Sequence, residues 1–206
     1  MPYFPKIKVL FIHIPKTGGT SVERYLQNKF NVNLFKENLY SIHETFNNHS
    51  YQHMTYNEIY NNRIRFNVKF DNLSIIFAVV RNPYERLISE LFYRKFINTK
   101  MNAKDVENIL IKYIISNNDY DNHKIPQHIF LLNSNGRINP NIKILRTETL
   151  DQDMKNIGYD DFNTNQKFTC TQRNKINYYK LLTKKSINII NKFYEKDFEL
   201  LSYKKI

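Results

Sequence analysis

Apolar residues follow two rhythms along the chain. Residues 7–14 (IKVLFIHI) and 73–80 (LSIIFAVV) are nearly unbroken apolar runs rich in β-branched side chains. Such runs suit strands buried on both faces of a parallel sheet. A shorter run, NIKILRTE (141–148), reads the same way. Elsewhere the apolar spacing becomes three and four residues, the helical period. TSVERYLQNKF (20–30) sets Val22, Tyr25, Leu26 and Phe30 on one face, with Thr20 or Ser21 as N-cap and Glu23 in the first turn. YERLISELFYRKFI begins near Pro83, a favourable first-turn residue. AKDVENILIKYIISN (103–117) carries Val106, Ile109, Leu110, Tyr113 and Ile114 on its face. TYNEIYNNRI predicts a short helix after His53, TLDQDMKNIG one ending at Gly158, and residues 175–198 are again helical. Strand–loop–helix thus occurs twice. The pattern predicts an α/β domain around a central, mostly parallel sheet flanked by helices, and 206 residues fit one domain spanning 1–206.

Glycine usage changes the picture. The chain has four glycines, and Gly18 and Gly19 stand together in HIPKTGGTS, between the first strand and the first helix. Glycine permits tight turning, and a helix N-terminus aims N–H groups and a partial positive charge at one point. Lys16 adds a full charge, and Thr17, Thr20 and Ser21 add hydroxyls. The loop is suited to a phosphate or sulfate. The second apolar run ends in VVRNPYERLIS, which puts Arg81 at the carboxyl end of a strand, where open α/β sheets bind ligands, with Ser89 eight residues on.

The first loop is not an ATP-type P-loop. That motif reads G-x-x-x-x-G-K-[ST], whereas here the lysine precedes the glycines and no glycine lies upstream. FAVV leads to Arg81 and not to a metal-holding aspartate, so Mg²⁺ is poorly served and no metal is expected.

Charge narrows the partners. Lys and Arg number 31 against 19 Asp and Glu, a formal net charge of +12, which favours anionic ligands. The excess is spread over the chain and forms no basic tail, so nucleic acid is not the expected partner. Asn, Ile, Lys, Tyr and Phe abound; all have A/T-rich codons, which reads as a coding bias such as that of a virus or parasite. The single cysteine, Cys170, excludes an internal disulfide and an all-cysteine zinc site and fits a reducing compartment. The N-terminus is too broken by proline for a signal peptide or anchor, and no segment has the length of a membrane span, so a soluble, cytoplasmic protein is expected.

HIPKTGGTS resembles the 5′-phosphosulfate loop of sulfotransferases, and VVRNPYERLIS resembles their 3′-phosphate motif. The likeness is to the carbohydrate group that includes the heparan sulfate 2-O- and 6-O-sulfotransferases. LRTETLDQD (145–153) and FYEKDFELLSY (193–203) resemble weaker landmarks, while 31–72 and 100–140 carry little likeness. The resemblance implies a P-loop-like three-layer fold and the donor 3′-phosphoadenosine 5′-phosphosulfate (PAPS), which leaves 3′,5′-ADP. It implies that Lys16, Thr17, Gly18, Gly19, Thr20 and Ser21 hold the 5′ end, with Lys16 also catalytic. Arg81 and Ser89 would take the 3′-phosphate, and Arg86 a structural salt bridge. QHMTYNEI resembles the surroundings of the family's histidine base, which makes His53 the candidate. His43, His49 and Glu44 remain alternatives. The acceptor would be a hydroxyl of a glycan or another molecule. Two rival readings stay open: a P-loop-type small-molecule kinase, and a non-catalytic polyanion-binding module.

Overall fold

The computed structural model describes residues 2–33, 45–163 and 177–206; His43, Glu44 and Cys170 lie outside them. The sheet holds β1 (Tyr3–Phe4), β2 (Val9–Ile12), β5 (Ile75–Val80) and β6 (Ile142–Arg146), in the order β1-β2-β5-β6. Its apolar runs became the three parallel strands. β2 pairs with β5 from Val9↔Ile75 to Ile12↔Ala78, and β5 with β6 from Ile76↔Ile142 to Val80↔Arg146. The short β1 was not anticipated. A 3₁₀ turn at Pro5–Ile7 and a left-handed Lys8 (φ 57°) fold it back antiparallel onto β2, Tyr3 opposite Leu10. A separate two-stranded hairpin joins β3 (Thr45–Phe46) to β4 (His49–Ser50).

Helices cover both faces. They are α1 (Gly19–Phe30), α2 (Tyr56–Asn61), α3 (Pro83–Tyr93), α4 (Ala103–Ile115), α5 (Leu150–Asn156), α6 (Lys184–Phe193) and α7 (Glu195–Leu200). Side chains alternate along a strand, so Val9, Phe11, Phe77 and Val79 face Val22, Tyr25 and Leu26 of α1 and Leu150 and Met154 of α5. Leu10, Ile12, Ile76, Ala78 and Val80 face the other way, onto Tyr56 and Ile59 of α2 and onto Phe130 and Leu131. These strand residues are almost wholly buried, each Val, Leu, Ile and Phe side chain contributing about 1.5–3 kcal/mol. The result is the expected three layers, helix–sheet–helix. A further cluster, with Leu87, Leu91, Leu110, Ile190 and Phe198, joins α3, α4, α6 and α7.

The helix ends differ from expectation in two places. α1 is capped by Gly18 in the left-handed region (φ 94°) with no side-chain cap bond, so Thr20 and Ser21 sit inside the first turn and not at the N-cap. A left-handed residue turns the chain into the helix by backbone alone, which leaves the first N–H groups unclaimed by a capping side chain. The predicted 175–198 helix is interrupted: within it the described chain forms a 3₁₀ turn at Tyr178–Leu181, then α6 and α7. Among the described residues no helix is long and apolar enough to cross a membrane.

Candidate active site

Parallel neighbours open at the same edge of the sheet, so the loops that follow β2 and β5 lie side by side. One hydroxyl joins them. Thr147, just past β6, lies 2.6 Å from the carbonyl of Thr17 and 3.0 Å from that of Val80. Arg86 of α3 ties the same parts together from behind. The sequence suggests a salt bridge for it, but its guanidinium donates to three carbonyls instead: Pro15 (3.0 Å), Ile125 (3.0 Å) and His123 (2.8 Å). Five donors in a fixed fork suit a ring of carbonyls.

In the first loop Lys16 is itself left-handed (φ 67°). Thr17 is buried, and its hydroxyl donates to the Ile14 carbonyl at 2.8 Å, so that hydroxyl holds the loop's own shape. Gly19 has a steric reason to be glycine: a Cβ there would stand 2.5 Å from His13 Nε2. His13 ends β2's run into the loop and is locked by a buried carboxylate, its Nδ1 2.5 Å from Glu23 Oε1, while the Gln52 amide donates to both oxygens of Glu23 (3.2 and 3.1 Å). Glu23 is thus an acid that faces inward, toward the loop's histidine, and because α1 begins at Gly19 it lies in the second turn and not in the first, where the sequence reading placed it.

In the second loop Gln127 brackets Arg81, accepting its N–H and donating to its carbonyl, both at 2.8 Å. Gln127 is held by Asp197 of α7, which accepts its backbone N–H at 2.8 Å. Arg81 Nη2 reaches Glu85 at 3.1 Å, and the guanidinium lies 5.5 Å from the Tyr178 ring centre. Its Nε is buried without a hydrogen-bond partner among the described residues. A buried donor left unmatched is costly, and an anion at this loop would satisfy it. Ser89 is buried on α3.

The structure brings His53 to the first loop. It closes a 3₁₀ turn after β4 and is 6 % exposed. Its ring lies edge-on to His13 (5.3 Å between centres) and to His123 (4.8 Å). His123 in turn stacks on Tyr93 (5.6 Å), over whose ring the Lys16 ammonium sits at 3.9 Å. A run of aromatic contacts thus connects His53 to Lys16. His53 Nδ1 lies 2.8 Å from Asp121 Oδ2, and His123 Nδ1 lies 2.7 Å from Glu90, which also pairs with Arg94 at 2.7 Å. Burial pushes the His53 imidazole down to about 3, against the upward pull of Asp121. Burial lowers His123 as well, opposed by Glu90. Burial acts to raise the Asp121 carboxyl, but its hydrogen bonds from His53 and Ser50 prevail and bring it to about 2. At neutral pH the pair is a neutral imidazole facing a carboxylate.

His53, Asp121 and His123 offer ligand atoms within 4.8 Å of one another. His53 Nδ1 is bonded to Asp121 and His123 Nδ1 to Glu90, so a divalent ion would have to take Nε2 of each imidazole or displace a hydrogen bond at Nδ1. The cluster is arranged as hydrogen-bonded imidazole–carboxylate pairs. His49 is placed differently: it stands in β4 with Nε2 3.3 Å from Glu58, whose carboxylate belongs to the capping box of α2. His13, Glu23, Asp121, His123 and Thr147 carry the site but were not singled out from sequence. Only His13 and Thr147 fall within recognisable stretches, HIPKTGGTS and LRTETLDQD.

No curated protein and no solved structure matches the chain significantly. A family model described as "Sulfotransferase family" matches residues 2–204, taking in the loops after β2 and β5, the histidine cluster and α7. The chain belongs to the sulfotransferase family and is by that membership a transferase of sulfuryl groups.

Proposed function

We propose that the protein transfers the sulfuryl group of PAPS to a hydroxyl of a carbohydrate acceptor, with His53 as base. The observation that carries this reading is the pair of anion-seeking loops at one sheet edge, joined through Thr147 and linked to a neutral imidazole. PAPS, when bound, supplies the sulfuryl group and a phosphate as leaving group. The residues present fit both of its anionic ends. The N–H groups at the start of α1, left without a capping side chain by left-handed Gly18, suit the 5′ end, and the unmatched Nε of Arg81 suits the 3′-phosphate, with Ser89 on the helix behind.

His53 accepts the hydroxyl proton at Nε2 as the acceptor oxygen bonds to sulfur and the bond from sulfur to the phosphate oxygen breaks. Lys16 leaves the face of Tyr93 to stabilise charge on that leaving oxygen, helped by the N–H groups of residues 18–20 and the dipole of α1. Lysine and amides fill the role a cation plays in kinases, so the reaction needs no metal. The +12 charge and the Asn- and Tyr-rich stretches support an acidic, hydroxyl-rich acceptor.

The test is thermal stabilisation by 3′,5′-ADP but not by ATP–Mg²⁺, followed by PAPS-dependent transfer to a panel of glycans in the presence of a chelator. Lys16→Ala should lower kcat by about 100-fold or more. An unchanged rate removes Lys16 from the chemistry, and transfer to no member of the panel removes the carbohydrate acceptor.

A further inference from the structure

We propose that Asp121 is the positioning residue of this site: it fixes His53 in the Nδ1–H tautomer and leaves Nε2 as the proton acceptor. The proposal rests on the reading of His53 as base and adds to it a residue from a stretch with no recognisable motif.

The backbone around Asp121 is the first argument. Tyr120, Asp121 and Asn122 all have positive φ (53°, 61° and 62°). A left-handed residue other than glycine costs about 1–2 kcal/mol, and three in succession persist only where the surroundings over-determine them. They do so here. Tyr120 stacks on Tyr113 (4.7 Å between centres), its carbonyl accepts from Arg94 at 2.6 Å, and the His123 carbonyl accepts from Arg86. The turn's product is a grip on one histidine. Asp121 meets His53 Nδ1, the Asn122 amide donates to the His53 carbonyl at 3.0 Å, and His123 sets its ring against the His53 ring.

The hydrogen-bond directions are the second argument. An ionised carboxylate only accepts, so Nδ1 must carry the proton and Nε2 the lone pair. The carboxylate's own orientation is fixed as well, because Oδ1 accepts the backbone N–H of Ser50 at 2.5 Å while Oδ2 faces Nδ1 and the Ser50 hydroxyl. An asparagine in this place must keep its oxygen toward the Ser50 N–H. Its NH₂ then falls opposite Nδ1, which can only accept, and the proton moves to Nε2, where it blocks the base. An alanine leaves Nδ1 with no instruction and the tautomers free to exchange.

The consequence is an order of activities that a purely structural role reverses. Asp121→Asn, the isosteric change, should lower kcat by about 100-fold or more, and Asp121→Ala by about 10-fold, within the range of general base catalysis. KM for PAPS and the thermal shift with 3′,5′-ADP should stay near those of the parent chain. Nitrogen-15 NMR of the histidines in the full chain should show Nδ1–H for His53 in the parent and Nε2–H in Asp121→Asn. The proposal is overturned if Asp121→Asn keeps the parent's rate, if it is faster than Asp121→Ala, or if the His53 tautomer does not change. A His53→Gln chain that remains active overturns the base assignment itself, a result distinct from a failure at Asp121.

Discussion

At the scale of single residues, protonation decides whether the site works. As the proposed base, His53 must be neutral, and burial keeps it so by lowering its pKa to about 3. The groups that face it are Asp121, His13 and His123. Transfer should therefore show no acid limb near pH 6.5 from this residue, checked as kcat/KM between pH 5 and 8; a loss of rate centred at 6.5 would mean an exposed imidazole. Stability moves the other way. An unfolded histidine takes up a proton below about 6.5, while folded His53 does not until about pH 3. The unfolded chain thus binds more protons between those values, and stability falls as pH falls through that window. By pH 5 the cost is about 2 kcal/mol for such a group, measurable by denaturant titration. His53 was legible beforehand because a short local motif surrounds it. Asp121 was not, because its partner lies 68 residues away and nothing in a run of asparagines and aspartates marks which one will meet it.

At the scale of elements, the sheet edge works because loops from different strands are joined. Thr147 Oγ1 sits between the Thr17 and Val80 carbonyls. Thr147→Val keeps the shape and removes the hydroxyl, so it should cost about 1–3 kcal/mol and weaken 3′,5′-ADP binding. Thr147→Ser should restore both, and calorimetric titration of the three chains separates hydrogen bonding from packing. Sequence reading located β2, β5, β6 and their following helices, since buried parallel strands must be continuously apolar and amphipathic helices must repeat every three to four residues. It misplaced the start of α1 because the Thr-Ser pair imitates a cap, whereas left-handed Gly18 makes the turn with backbone alone. The two-residue strands β1, β3 and β4 are too short for any alternation to register. The left-handed turn at 120–122 contains no glycine to announce it.

At the scale of the whole molecule, the far end of the chain supports the beginning of the site. Asp197 on α7 is fully buried and accepts from the backbones of Gln127 and His128 and from His128 Nδ1 at 2.7 Å, while Gln127 brackets Arg81. Asp197→Ala leaves those donors unmatched and should cost about 3–5 kcal/mol, with a Tm lower by about 2–4 °C for each kcal/mol. It should also weaken 3′,5′-ADP binding although Asp197 touches no proposed ligand; unchanged affinity would uncouple α7 from the Arg81 loop. The dependence has a meaning for biosynthesis. Lys16 leaves the ribosome early, but the arginine loop acquires its brace only when residue 197 has been made. A polypeptide released before that point carries the first loop without a secured second one, so on the proposed function a product terminated before residue 197 should be inactive. Synthesis of α7 is in this sense a required step in assembling the proposed donor site.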